Sequence, residues 1–224
     1  MGTMIDVKRP DGKTCPAYLA TPRQGDDAPA FVMIQEWWGL NDQMKGLADR
    51  LATEGFRVLV PDLYRGRVTV NPDEANHMMT GLDFAGATNQ DIRGCAQRLK
   101  QTSKTVAVGG FCLGGALTVL AGVHVPEVDA CACFYGIPPS EAADPSEMRV
   151  PFIGHFANRD DWCTPEAVDK LEAGLGRAGV EHEIYRYDAQ HAFMNERRPE
   201  VYDRACAELA WRRTLDFLAR TIAR

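Results

Sequence analysis

The sequence predicts an α/β protein with a mostly parallel central sheet and helices on both faces. Three observations carry this. Short β-prone runs alternate with helix-length amphipathic segments along most of the 224 residues. The runs 30–35, 105–109 and 128–135 are almost wholly apolar, as strands covered on both faces are. A β then repeated αβ order favours a doubly wound sheet over a sandwich or a bundle.

Taken in order, residues 4–8 and 15–20 form short strands joined by the Asp11-Gly12 turn. Pro22 to Pro29 is a polar connection, and 30–35 is the first buried strand. Glu36-Trp37-Trp38-Gly39-Leu40 follows as a loop. Asn41 caps a helix that Gly55 stops. Residues 56–60 make the next strand, ended by Pro61-Asp62. The stretch 62–86 is the least regular; Asn71-Pro72 opens a helix there and Gly81 ends it. An amphipathic helix over 88–100 precedes the strand 105–109, and a second, apolar helix runs from the following turn to about Gly122. After the strand 128–135 comes a loop over 138–149 with a turn of helix. Strands over 152–156 and 183–187 flank a helix opened by Thr164-Pro165 and closed near Gly179. Residues 201–220 form the last helix. No repeat, linker or lid segment interrupts the pattern, so residues 1–224 read as one domain.

Composition narrows the function classes. The net charge of -6 argues against nucleic acid as a partner. No apolar run reaches membrane-spanning length, and the first residues lack the basic and apolar regions of a signal peptide. Seven cysteines without regular spacing fit free thiols in a reducing cytoplasm. Cys131-Ala132-Cys133 is too tight for a zinc pair and sits in a strand-like run. Neither metal nor cofactor is expected, and the expected partner is a small molecule acting on a monomer or weak dimer.

Gly110-Phe111-Cys112-Leu113-Gly114 is the candidate centre. A G-x-C-x-G turn between a strand and an apolar helix has the form of a nucleophile elbow, with Cys112 where many hydrolases carry Ser. Its tight backbone requires small residues two positions either side, which Gly110 and Gly114 supply. The turn also sets Cys112 at a helix N-terminus, which favours a thiolate. The bland alternative is a buried Cys in a Gly-rich turn. A phosphate loop does not fit, since no G-K-[ST] follows.

A nucleophilic Cys needs a base, and the base needs an orienting group. In open α/β sheets these lie on loops after the strands' C-terminal ends. Asp160 follows the strand 152–156 and His191 follows the strand 183–187. The chain order nucleophile, acid, His is that of α/β-hydrolases. Asp161 rivals Asp160, which completes the small-x-x-Asp turn. His182 lies at the wrong end of its strand, His155 reads as a core residue, and His124 reads as surface. His77 lies in the irregular segment and is a candidate pocket residue. Leu113 and Trp37 are the expected backbone N–H donors of an oxyanion hole. Glu36 reads as a solvated loop carboxylate, although its place between an apolar strand and Trp37-Trp38 is unusual. Trp38 and Phe193 are candidate apolar walls for substrate.

The combination of Gln35-Glu36-Trp37-Trp38-Gly39-Leu40-Asn41, Val60-Pro61-Asp62-Leu63-Tyr64, Gly110-Phe111-Cys112-Leu113-Gly114-Gly115 and His191-Ala192-Phe193 resembles the dienelactone hydrolase (carboxymethylenebutenolidase) family. The resemblance spans nearly the whole chain and implies an α/β-hydrolase fold without a separate lid domain. It implies a Cys112–His191–Asp160 triad, a thioacyl-enzyme, and Trp37 and Leu113 as oxyanion donors. It also implies that Glu36 holds the resting thiol and accepts its proton when substrate arrives. One feature departs from the family: the two Arg that clamp a substrate carboxylate fall where this chain has His77 and Asn195. Arg197 and Arg198 lie near the second position but shifted, and Arg65 and Arg67 are further candidates.

The leading expectation is therefore hydrolysis of carboxylic esters or lactones. Its alternatives are a promiscuous esterase or phosphotriesterase with a substrate other than dienelactone, and a silent hydrolase-like binding protein. A glutamine-amidotransferase-like reading needs a Glu two residues after the His, where this chain has Phe193.

Overall fold

A computed structural model describes residues 2–23, 25 and 27–223. Gln24 and Asp26 of the expected polar connection lie outside the described residues, as do Met1 and Arg224. Eight strands form one sheet: β1 (Thr3–Lys8), β2 (Thr14–Ala20), β3 (Ala30–Ile34), β4 (Arg57–Pro61), β5 (Val106–Phe111), β6 (Ala130–Phe134), β7 (Phe152–Arg159) and β8 (His182–Gln190). Their order is β1-β2-β4-β3-β5-β6-β7-β8. β1–β2 and β2–β4 pair antiparallel, and all the other pairs are parallel. This is the mostly parallel sheet that the apolar runs predict.

The helices are α1 (Asp42–Thr53), α2 (Pro72–Thr80), α3 (Phe84–Gly86), α4 (Arg93–Lys100), α5 (Leu113–His124), α6 (Pro165–Ala178) and α7 (Arg204–Thr221). On one face of the sheet α4, α5 and α6 bury Leu99, Leu117 and Leu171. On the other, α1 and α7 bury Met44, Leu51, Trp211 and Phe217. Among the described residues no helix is long and apolar enough to cross a membrane.

Side chains set the boundaries. Asn41, Asn71, Thr164 and Asp203 each accept a backbone N–H from the first turn of the helix they precede. Asp203 as cap moves the start of the last helix from the expected 201 to 204. Expected as one α-helix over 88–100, the fourth segment begins earlier and carries a π-helical stretch, Ala87–Ile92, between α3 and α4. Apolar periodicity does not distinguish these winding states. β7 and β8 run three residues past their expected ends, so Asp160 and His191 follow their strands directly.

Strand order positions the site. Ile34 at the end of β3 pairs with Gly110 near the end of β5, and Phe111 pairs with Phe134 on β6. The loops that follow β3, β5 and β6 therefore emerge side by side. α5 begins so close to β3 that a Cβ on Gly114 would lie 2.7 Å from the Gln35 carbonyl oxygen. Gly46, in the exposed middle of α1, has open space where a Cβ would go.

Two alanine substitutions should then have opposite signs in denaturant or thermal unfolding. Gly46→Ala should stabilise by about 0.5–1 kcal/mol, because Ala loses less backbone entropy in a helix. Gly114→Ala should destabilise by about 1–3 kcal/mol, because the backbone must separate from β3.

Candidate active site

Cys112 is the residue at the elbow. Its φ of 56° and ψ of -114° are conformations an L-residue adopts at a cost. Three backbone hydrogen bonds hold it. Its N–H donates to the Phe134 carbonyl at 3.0 Å, and its carbonyl accepts from Gly115 at 2.9 Å and Ala116 at 3.1 Å. A Cβ at Gly110 would stand 2.6 Å from the Gly114 carbonyl oxygen, so the turn excludes side chains at both positions. The half-buried Cys112 immediately precedes α5, whose first N–H groups have no intrahelical acceptor. Leu113 contributes the first of these.

The structure brings His191 to Asp160. His191 Nδ1 bonds Asp160 Oδ2 at 2.7 Å, which fixes the proton of a neutral ring on Nδ1. Asp160 Oδ1 accepts from the backbone N–H groups of Trp162 at 2.8 Å and Cys163 at 2.9 Å. Asp160 is buried, whereas Asp161 is exposed on the wall of the cleft. Burial works to raise the Asp160 pKa, but the His191 bond and charge and the two backbone bonds together lower it. Burial likewise works to lower the His191 pKa. The bond to Asp160 and the nearby Cys112 sulfur outweigh it and carry the pKa up to about 10. Nε2 of His191 is buried without a conventional partner among the described residues. Cys112 is thus the second group the ring answers to.

Glu36 is buried at 2% exposure, so the solvated-loop alternative fails. Its Oε2 accepts from Asn195 Nδ2 at 2.6 Å and its Oε1 from the Tyr135 hydroxyl at 3.3 Å. Burial raises its pKa, against the pull of Asn195, His191 and Tyr135. Tyr135 is buried too, in a positive-φ conformation at the end of β6. Its hydroxyl pKa rises through burial and through the charges of Glu36 and Cys112. Its ring also packs edge-on against His191, with centroids 5.2 Å apart. Trp37 and Trp38 occupy a turn closed by the Gly39 N–H on the Glu36 carbonyl at 3.3 Å.

These groups open into a cleft of about 710 Å³ whose walls include Glu36, Trp37, Trp38, Cys112, Leu113 and His191. Two expected pocket residues are absent from it. His77 is exposed on the outer side of α2, and from that helix it is Met79 that lines the cleft. Helical period explains this, since a two-residue step turns the side chain well away. Phe193 is fully buried behind the site, against Tyr135 and Tyr187, because the positive φ of Ala192 turns the chain inward after His191. It supports the wall and is not part of it.

The candidate cations are mostly spoken for. Arg65 bonds Asp91 at 2.7 Å, and Arg67 and Arg197 face Glu74 and Asp42, all outside this cleft. Arg198 reaches the cleft rim, where it bonds Glu200 at 2.8 Å and lies over the Trp38 ring. Arg159 also lines the rim and is paired with Asp188.

Sequence reasoning missed Tyr135 and Trp162, and it took Asn195 only as a missing Arg. Tyr135 had a readable signal, since it ends an apolar strand at the same sheet edge as Cys112. Trp162, exposed beside Trp37 and His191, had none beyond its distance of two residues from Asp160.

The model of the dienelactone hydrolase family matches residues 15–222. The chain is 33% identical to Protein usf of Aquifex pyrophilus, over 97% of each chain. It is 32% identical to a protein of Aquifex aeolicus named "Putative carboxymethylenebutenolidase", again over 97% of each. In fold it is similar to the crystal structure of a Klebsiella pneumoniae protein named "Putative Dienelactone Hydrolase", with a TM-score of 0.87, 24% identity and 98% of each chain covered.

The His191 pKa has a testable cause. Because the folded value lies above an unfolded value near 6.5, protonation stabilises the fold below that pH, and the stabilisation drains away as pH rises through about 10. Asp160→Asn should lower the His191 pKa by about 1–3 units, since a carboxylate partner is lost while burial remains. A pH titration of the His191 ring protons by NMR reads this directly.

Proposed function

The chain belongs to the dienelactone hydrolase family, and from that premise we propose that it hydrolyses carboxylic esters or lactones through a Cys112–His191–Asp160 triad. The observation that carries the reading is the 2.7 Å His191–Asp160 bond beside a cysteine held at a strained elbow. Residues 1–224 are read as one catalytic domain.

In the reaction the Cys112 thiolate attacks the acyl carbon. The carbonyl oxygen takes the electron pair and is held by the N–H groups of Trp37 and Leu113. As the tetrahedral species collapses, the C–O bond breaks and the imidazolium of His191 protonates the leaving alkoxide. A thioester to Cys112 remains. Water then attacks that thioester while His191 takes its proton, and the thiolate leaves as the acid is formed. Asp160 keeps the ring oriented and supports its positive charge. At rest, Glu36 holds the protonated Cys112 thiol; when substrate arrives the Glu36 carboxylate, whose pKa burial raises, accepts that proton and leaves the thiolate beside the His191 imidazolium.

Uncharged esters suit the site best. His77 and Asn195 provide no carboxylate clamp, and Arg159 and Arg198 already have acidic partners.

Cys112→Ala should lower kcat/KM for an activated ester by about a thousandfold or more with circular dichroism unchanged. Asp160→Asn should lose far more than Asp161→Asn, and an equal loss would reverse the choice of acid. Glu36→Gln should keep the bonds to Asn195 and Tyr135 in altered form but lose the charge. Its pH profile of iodoacetamide alkylation at Cys112 should therefore shift to lower pH, together with lower turnover. Superimposable alkylation profiles would remove the role given to Glu36.

A further inference from the structure

The cleft is chemically divided. Its charged wall residues outside the triad are Glu36, which follows β3, Arg159 at the end of β7, and Asp161 and Arg198, which follow β7 and β8; none of them lies on α5 or in the segment after β6. One side is formed by α5. Leu113, Ala116 and Leu120 line it as one stripe that starts beside Cys112, since residues three and four apart share a helix face. Beside the stripe the segment after β6 also lines the cleft. It begins at Gly136, packed so tightly on Cys112 and Ala116 that no Cβ fits, and proceeds through Ile137 and Pro138. It reaches the far end at Ala142, whose carbonyl bonds His124 Nε2 at 2.9 Å. This segment is therefore pinned to α5 at both ends and runs alongside it. Met79 and Phe84 close the third side. The proline has no N–H to offer, and none of these side chains carries a charge.

The length of this channel follows from the helix. Leu120 lies eight residues beyond Cys112, a rise of about 12 Å at 1.5 Å per residue. An extended chain covers about 3.3–3.6 Å for every three bonds, so about ten bonds fill it. The direction follows from the reaction. His191 must stand beside the leaving oxygen, which puts the alcohol on the polar side and leaves the α5 side to the acyl group.

We infer that the acyl group this protein accepts is an unbranched, uncharged chain of about eight to ten carbons lying along α5. The inference rests on the esterase reading above and goes beyond it in naming the acyl class. Ala116 and Ala142 set the usable length, one near the nucleophile and one at the far end.

The test is a series of p-nitrophenyl esters from acetyl to myristoyl, with a second series of acetate esters in which only the alcohol grows. For the wild type, kcat/KM should rise by up to about fourfold per methylene, put octanoyl at least ~10-fold above butyryl, and fall again by myristoyl. Ala116→Phe should lower the octanoyl-to-butyryl ratio by about tenfold or more. Ala142→Trp, at an exposed position whose backbone bond to His124 is retained, should move the optimum to shorter chains. Ratios within one protein cancel any general loss of activity, and circular dichroism checks the fold. Equal rates across the acyl series, a length dependence confined to the alcohol series, or unchanged ratios in both folded variants would overturn the inference and leave the esterase reading intact. Failure of the wild type to turn over any ester would overturn the esterase reading itself, and the inference with it.

Discussion

The site depends on one close approach, that of the start of α5 to the last carbonyls of β3. A Cβ at Gly114 has no room there. The same tightness recurs where Gly136 meets the Cys112 carbonyl, so the elbow is gripped from β3 on one side and β6 on the other. Backbone as strained as that of Cys112 costs about 1–3 kcal/mol and persists only where its surroundings over-determine it. Here they do so through the N–H bond to Phe134 and two bonds into α5. The consequence is chemical. Because the turn cannot relax, the thiol stands at the helix N-terminus with Leu113 beside it, and the loop carrying Trp37 is brought alongside.

Electrostatics then divides the site into opposed demands. His191 is favoured as a cation despite burial, because Asp160 and Cys112 both stabilise its charge. Glu36 is pushed by burial toward its neutral form although Asn195, His191, Tyr135 and Arg198 work to keep it charged. A buried acid that binds a proton readily and a half-buried base that keeps one both neighbour Tyr135.

Much of this was legible in the sequence, and the exceptions have physical reasons. Apolar runs gave away the strands because a parallel sheet is buried on both faces. Cys112, Asp160 and His191 were readable because each directly follows a strand at the same edge of the sheet. His77 was misjudged because its helix presents Met79 to the cleft, and helix phase in an irregular segment cannot be read from composition. Phe193 was misjudged because the positive φ at Ala192, an unusual residue for it, reverses the chain. The π-helical turn between α3 and α4 leaves no mark in hydrophobic periodicity. Glu36 read as a solvated carboxylate because its partners, Tyr135 and Asn195, lie 99 and 159 residues away.

Those separations explain why one carboxylate matters beyond its charge. Glu36 follows β3, Tyr135 ends β6, and Asn195 follows β8, so its two oxygens tie together three loops that the sheet alone would leave independent. The same three loops carry Trp37, border the apolar channel at Gly136, and hold His191. A buried carboxylate without bonds would cost several kcal/mol, so each donor is required for the others to remain in place. Asn195 in turn accepts the Arg197 N–H on its own Oδ1, which anchors the amide that Glu36 depends on. Where a clamp for a charged substrate would need a cation, this chain has a neutral amide committed to holding the site together.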